Sequence, residues 1–315
     1  MRSSYTADMT FTEASVADQS GKTFVITGGN SGIGYEAALV LAKKNARVIL
    51  ACRSPQRAGD ALESIRAAVP NANVEAMRLD LASLKSVRTF ADELLAKLNR
   101  LDGLVNNAGL MALPYSKTED GFEMQLGTNH LGHFALTGHI LPLLLKTPNA
   151  RVVNVASQAH RMGKMHFDDL HGERRYERWA WYGQSKLANL LFTGELSRRL
   201  QKKGVGMLVT AAHPGYSSTS LQTKGAEMEN AKFAASIFTL GNRLFAQTAA
   251  MGAMPTLRAL TDRGASSGDY FGPSGIGELA GPPVRVGMSK RAKSEEDARR
   301  LWERSEELTG VRISL

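Results

Sequence analysis

Tyr182 and Lys186 stand four residues apart in the run WYGQSKLANLL, residues 181–191. On a helix, positions i and i+4 share a face, with Cβ atoms about 5–6 Å apart. A phenol, ordinarily titrating near pH 10, is a good proton donor but a poor base at neutrality. An ammonium within about 4–6 Å favours its phenolate form by roughly 1–3 pKa units. Such a pair could exchange protons in both directions near neutral pH. The same spacing also describes two residues on a wet helix surface. Ser185 and Asn189 continue the polar stripe, and Leu187, Leu190 and Leu191 lie on the other side, an ordinary amphipathic pattern. The pair alone does not decide between the two.

A second candidate is the glycine-rich stretch TGGNSGIG, Thr27–Gly34. It follows an apolar β-type run and opens a helical pattern, the context in which such a turn cradles a phosphate. Gly28, Gly32 and Gly34 permit a tight turn and close approach of the backbone to a pyrophosphate at the helix N-terminus, with Asn30, Ser31 and Ile33 between them. Their spacing is G-x-x-x-G-x-G, not the commoner G-x-G-x-x-G. Binders of NAD usually end the following strand on an acid that holds the ribose 2′-hydroxyl. Here that strand ends in ACRS, with neutral Cys52 and cationic Arg53. A guanidinium can grip a 2′-phosphate that a carboxylate would repel, so the residues favour NADP(H) over NAD(H).

Other chemistries find less support. His130 and His133 fall in HLGH, without the H-E-x-x-H pattern of a zinc site, and no metal is expected. The surroundings of Ser157, VASQA, are not a serine-hydrolase elbow. Cys52 is the single cysteine, which rules out a disulfide within one chain and fits a reducing, cytoplasmic setting. The net charge of +9 points to anionic partners. The basic residues are scattered in short pairs and not interleaved with aromatics, so nucleic acid is not expected. The longest apolar runs, such as ILPLLL from Ile140, fall far below the ~20 residues of a membrane span, so stable membrane insertion is not expected either.

These residues must be positioned by the elements around them. Short β-branched runs at 23–27, 47–52, 73–79, 101–107, 150–157 and 205–211 alternate with helical patterns at 34–44, 55–68, 83–99, 130–146 and 180–203. That alternation predicts βαβ units, hence a Rossmann-type, doubly wound parallel α/β sheet with helices on both faces in a single domain, 21–315. Residues 1–20 read as a polar, loosely ordered tail without the apolar core of a signal peptide. The Met- and Phe-bearing stretch 217–268 reads either as helices completing the core or as a lid over an apolar substrate pocket. A last helix over 294–310 has acidic residues in its first turn and Gly310 as its stop.

Taken together, the motifs resemble the short-chain dehydrogenase/reductase family. TGGNSGIG is similar to its TGxxxGxG cofactor turn, NNAG (Asn106–Gly109) to its fourth-strand motif and YGQSK (Tyr182–Lys186) to its YxxxK site. TNHLGHFALT (Thr128–Thr137), YGQSKLANLLFTGEL, HPG (His213–Gly215) and LWERSEELTG narrow the likeness to the retinol-dehydrogenase-like branch. The resemblance implies reversible oxidation of an alcohol to a carbonyl, on a lipophilic substrate of retinoid, steroid or fatty type. It further implies a catalytic tetrad of Asn129, Ser157, Tyr182 and Lys186, with Asn129 holding a water that links Lys186 to solvent. Asp80 and Leu81 would meet the adenine, Asn107, Ala108 and Gly109 would line the cofactor groove, and Pro214, Gly215 and Thr219 would lie at the nicotinamide end. The gap of 25 residues from Ser157 to Tyr182 exceeds the family's commonest spacing and is similar to that of the branch. A homodimer or homotetramer is a further implication. The alternative class is a nucleotide-binding sensor or scaffold with negligible turnover, which would have no need of Tyr182.

Overall fold

Runs of apolar residues become strands buried on both faces, the pattern expected of a parallel sheet. In the computed structural model, which describes residues 11–216 and 247–315, these are β1 (Thr23–Thr27), β2 (Arg47–Cys52), β3 (Val74–Arg78), β4 (Gly103–Asn106), β5 (Arg151–Val155) and β6 (Leu208–Ala212). Two short strands follow, β7 (Tyr270–Pro273) and β8 (Pro283–Arg285). The order is β3-β2-β1-β4-β5-β6-β7-β8, parallel as far as β7, with β8 antiparallel at the edge. The strand order, which runs outward from β1 to β3 on one side and from β4 to β8 on the other, reverses between β1 and β4. A crevice therefore opens at the carboxyl ends there, where ligands bind in doubly wound sheets.

The described helices are α1 (Gly32–Lys43), α2 (Pro55–Ala68), α3 (Leu84–Lys97), α4 (Met124–Leu126), α5 (Gly132–Lys146), α6 (Arg178–Lys202), α7 (Ala249–Thr261) and α8 (Glu295–Thr309). Alternate strand residues face opposite layers. Val25 and Ile49 pack with α3, α5, the distal half of α6 and Trp302 of α8. Phe24, Ile26, Val48 and Leu50 pack with α1, α2 and α7. Capping follows the sequence signals: Ser54, with Pro55 behind it, accepts from Arg57 N, Ser294 accepts from Asp297 N, and Gly310 ends α8 at φ 67°.

Two segments depart from the sequence expectations, and a third is described only in part. Residues 1–10 of the predicted tail lie outside the described residues, but 11–20 are anchored by buried Val16 and Gln19. Val16 is buried in the α1–α2 layer, and Gln19 N donates to the Lys44 carbonyl at 2.7 Å. Of the proposed lid, 217–246 lie outside the described residues, whereas α7 completes the core through Ala253 and Leu257. The strands β7 and β8 escaped the sequence reading, being only four and three residues long and ending or starting on proline. No helix among the described residues is long and apolar enough to cross a membrane.

Candidate active site

The glycine turn is held by contacts that leave room for little else. Gly28 and Gly32 have φ of 64° and 55°, a region that strains residues carrying a Cβ. A Cβ on Gly34 would lie 2.6 Å from the Gly28 carbonyl oxygen and 2.5 Å from Asn107 Nδ2. Thr27 Oγ1 accepts from both Asn107 N and Ala108 N at 2.9 Å, and Asn107 Nδ2 donates to the Thr27 carbonyl at 2.8 Å. The TGG and NNAG motifs are thereby one structural unit. Ser31 opens α1 without a side-chain bond to its first turn, which leaves those N–H groups directed at an anion.

Asn30, Ser31, Ile33, Leu81, Ala108 and Gly109 line the cleft that runs from this turn. Arg53 stands exposed on its rim, its guanidinium making no hydrogen bond or ion pair among the described residues. Cys52 beneath it is buried, and burial pushes its thiol up to about 11, so it stays neutral. Asp80 also lines the cleft; its Oδ1 accepts from Ala82 N at 3.0 Å, which fixes the turn after β3. The donor set suits a dinucleotide: glycine backbone and a helix N-terminus stand where a pyrophosphate would lie, and the exposed Arg53 stands on the rim where β2 ends.

At the other end of the cleft, α6 is buried all round from Trp181 to Thr193, so the polar stripe is not a wet face. Lys186 Nζ and Asn189 Nδ2 both donate to the Val155 carbonyl at 3.1 Å, at the end of β5. The ammonium lies 5.9 Å from the centre of the Tyr182 ring. The hydroxyl of Ser157 lies close enough to the Tyr182 phenol to favour its ionised form, and it accepts from Ala159 N at 3.2 Å.

The electrostatics differ from the sequence argument, which expected Lys186 to lower Tyr182. Burial raises the phenol above its ordinary value, with the nearby Ser157 hydroxyl opposing, and burial lowers Lys186 to about 8. Desolvation favours the neutral form of both groups, and in the free protein it outweighs their mutual attraction.

Asn129 lies in a π turn, Gly127–Leu131, between α4 and α5. Its Oδ1 accepts from Leu110 N at 2.7 Å, and Nδ2 donates to the Leu110 carbonyl and Ser185 Oγ at 2.9 Å each. The side chain is a brace for the Gly109–Leu110 wall. A Cβ on Gly109 would sit 3.2 Å from Asn129 Oδ1 and 3.3 Å from Lys186 Nζ, so this glycine brings the two together. Ser185, whose role the sequence left open, links Asn129 to α6 by donating to the Tyr182 carbonyl at 2.8 Å. Pro214 reaches the cleft wall, and Gly215 beside it adopts φ 66°. Thr219 lies outside the described residues.

Three buried histidines matter more to this site than the sequence indicated. His133 Nδ1 bonds the Asn129 carbonyl at 3.0 Å and Nε2 meets Thr27 Oγ1 at 2.9 Å, joining the glycine turn to the π turn. Burial lowers it to about 4, so it is neutral. His160 Nδ1 donates to the Ser157 carbonyl at 2.7 Å, because Ser289 N occupies Nε2 at 3.2 Å. His213 Nδ1 accepts from Gly215 N at 3.2 Å, and its Nε2 pairs with Glu278 at 3.0 Å. Only His213 had a local signal, the HPG motif; nothing in the sequence marks Glu278.

The profile of a family described as "short chain dehydrogenase" matches residues 22–230. Retinol dehydrogenase 12 of Homo sapiens is 44% identical over 297 residues, spanning 93% of this chain and 87% of that protein. Among solved structures, an uncharacterized protein of Mycobacterium paratuberculosis is 41% identical, with a TM-score of 0.80 over 96% of this chain and 99% of its own. The RhlG/NADP active-site complex of Pseudomonas aeruginosa is 25% identical, with a TM-score of 0.62 over 80% and 94% of the two chains.

Proposed function

The chain belongs to the short-chain dehydrogenase family, in its retinol-dehydrogenase-like branch, and from that premise we propose an NADP(H)-dependent interconversion of a lipophilic alcohol and its carbonyl, with Tyr182 as the general acid and base. Family membership makes it an oxidoreductase acting on CH–OH groups with NAD(P). The observation that carries the finer reading is the buried pair of Tyr182 and Lys186 lining the cleft, with the Ser157 hydroxyl near the phenol. NADP(H), when bound, supplies or accepts the hydride. In the reductive direction Tyr182 gives its phenolic proton to the carbonyl oxygen, and burial suits it to that role by keeping it protonated. In oxidation it takes the hydroxyl proton, which requires the cation of Lys186 to stabilise a phenolate in a water-poor setting. Ser157 donates a hydrogen bond to the reacting oxygen and holds it beside the phenol.

Arg53, exposed on the rim without a hydrogen bond or ion pair among the described residues and preceded by neutral Cys52, supports the NADP(H) preference, and the RhlG complex holds the same nucleotide. The lipophilic substrate class rests on the retinol dehydrogenase relatives and on Leu110 and Met111, which line the cleft beyond Gly109. The test is NADPH consumption across a panel of retinoid, steroid and fatty aldehydes and ketones, run on the wild type and on Tyr182→Phe. The variant should keep NADPH affinity and lose turnover by on the order of 10²–10⁴-fold. Near-normal turnover in Tyr182→Phe would remove the tyrosine from the chemistry.

A further inference from the structure

The turn after Ser157 and the turn carrying Pro214 and Gly215 come from different strands, yet one carboxylate ties them together. Glu278 lies between β7 and β8. Its Oε2 accepts from Gln158 Nε2 at 2.5 Å and from His213 Nε2 at 3.0 Å, while Oε1 accepts from Arg161 Nη2 at 2.9 Å. The direction of the His213 bond is settled by its other nitrogen, which accepts from Gly215 N. The backbone around Glu278 joins in: Tyr216 N donates to the Leu279 carbonyl at 2.8 Å, and Gln158 Nε2 also reaches the Gly277 carbonyl at 3.2 Å.

Glu278 achieves this in a strained conformation. Its φ is 57°, directly after Gly277 at 62°. A residue with a Cβ rarely holds such a backbone unless its surroundings over-determine it, and residues that do so cluster at functional sites. Here the surroundings are the three side chains that converge on the carboxylate, one of them the fully buried His213.

We propose that Glu278 is a positioning residue: it locks the Ser157 turn to the Pro214–Gly215 turn, and so fixes the acid–base cluster relative to the nicotinamide end of the cleft. The inference rests on the functional reading given above. It follows that the segment between β7 and β8 belongs to the active-site wall, although none of its residues contacts the reacting atoms.

Two variants test it. Glu278→Gly removes the carboxylate but suits the positive φ. Relief of backbone strain offsets part of the cost of leaving the buried His213 N–H without its partner, so the melting temperature should fall only modestly. Turnover should fall by about tenfold to a hundredfold, the scale of a small misplacement, with substrate KM changing less than kcat. NADPH affinity, read from protein fluorescence, should weaken severalfold because the Pro214–Gly215 turn is released. Glu278→Gln keeps one oxygen for Gln158 and His213 and loses only the exposed Arg161 contact, so most of the turnover should return. Wild-type kcat and NADPH affinity in Glu278→Gly would overturn the proposal. So would losses that follow the melting temperature equally in both variants. If the wild type shows no Tyr182-dependent turnover, the functional reading has failed instead, and NADPH affinity alone then judges Glu278.

Discussion

On the β1–β4 side of the cleft, the wall is shaped by main-chain atoms and short side chains; on the β5–β8 side, it is shaped by long polar side chains. Gly34 abuts Gly28 and Asn107, and Thr27 Oγ1 binds two successive backbone N–H groups. Across the cleft, Ser157 is set by His160, bonded to Ser289, and by a turn tied to Glu278, which lies 120 residues after Gln158. The first arrangement tolerates almost no substitution, since a backbone contact cannot be re-made by another rotamer. The second can be altered one bond at a time. A cofactor shared by a whole family needs the first; a wall that adapts to different substrates gains from the second.

The sharpest way to break this contrast is Gly34→Ala. The added Cβ cannot clear Gly28 and Asn107 without moving backbone, and overpacking of this kind costs about 1–3 kcal/mol. The melting temperature should fall, and NADPH affinity should drop by about tenfold or more. Gly59→Ala, in α2 with nothing near its Cβ position, should be neutral or stabilising by roughly 0.5–1 kcal/mol. Equal behaviour of the two variants, measured by thermal melts and NADPH titration, would mean the glycine turn is not the rigid element described.

Arg53→Ala probes the proposed grip of a long side chain on the cofactor. A charge-assisted hydrogen bond contributes about 1.5–3 kcal/mol. The ratio of NADPH to NADH affinity should therefore fall by about tenfold, with stability unchanged. An unchanged ratio would remove Arg53 from nucleotide selection.

The smallest effect concerns pH. Lys186 titrates near about 8 in the free protein because burial disfavours its charge. The cation, present below that pH, favours an anionic cofactor, so kcat/KM for NADPH should be level at lower pH and decline severalfold as pH rises through about 8. Lys186→Arg keeps its charge throughout and should lose that limb of the profile, though its overall rate will be lower. Persistence of the limb in Lys186→Arg would assign it to another group.

Much of the fold was legible because its signals are local. The apolar runs of β1, β2 and β5 are long enough to read, and Gly310 is legible as a helix stop. β7 and β8 were not, since three or four residues that end or start on proline show no alternation. Val16 belongs to the packed core rather than to a tail, because a single apolar residue in a polar stretch carries no period. Of the site, the glycine turn and the Tyr182–Lys186 spacing were visible by type and position. His133, His160 and Glu278 were not, because each acts by reaching residues remote in the chain.

The sequence by itself determined the alternating βαβ order, the glycines that a tight turn requires and the placing of a phenol and an amine one helical turn apart. All of these depend on neighbours within a few residues or on a regular period. Only the tertiary structure decided that the stripe of Tyr182, Ser185, Lys186 and Asn189 is buried instead of wet, and that burial raises Tyr182 and lowers Lys186. It alone brought Glu278 onto both turns. Desolvation and side-chain bridging are set by everything packed around a group, and those neighbours come from strands and loops that no local pattern connects.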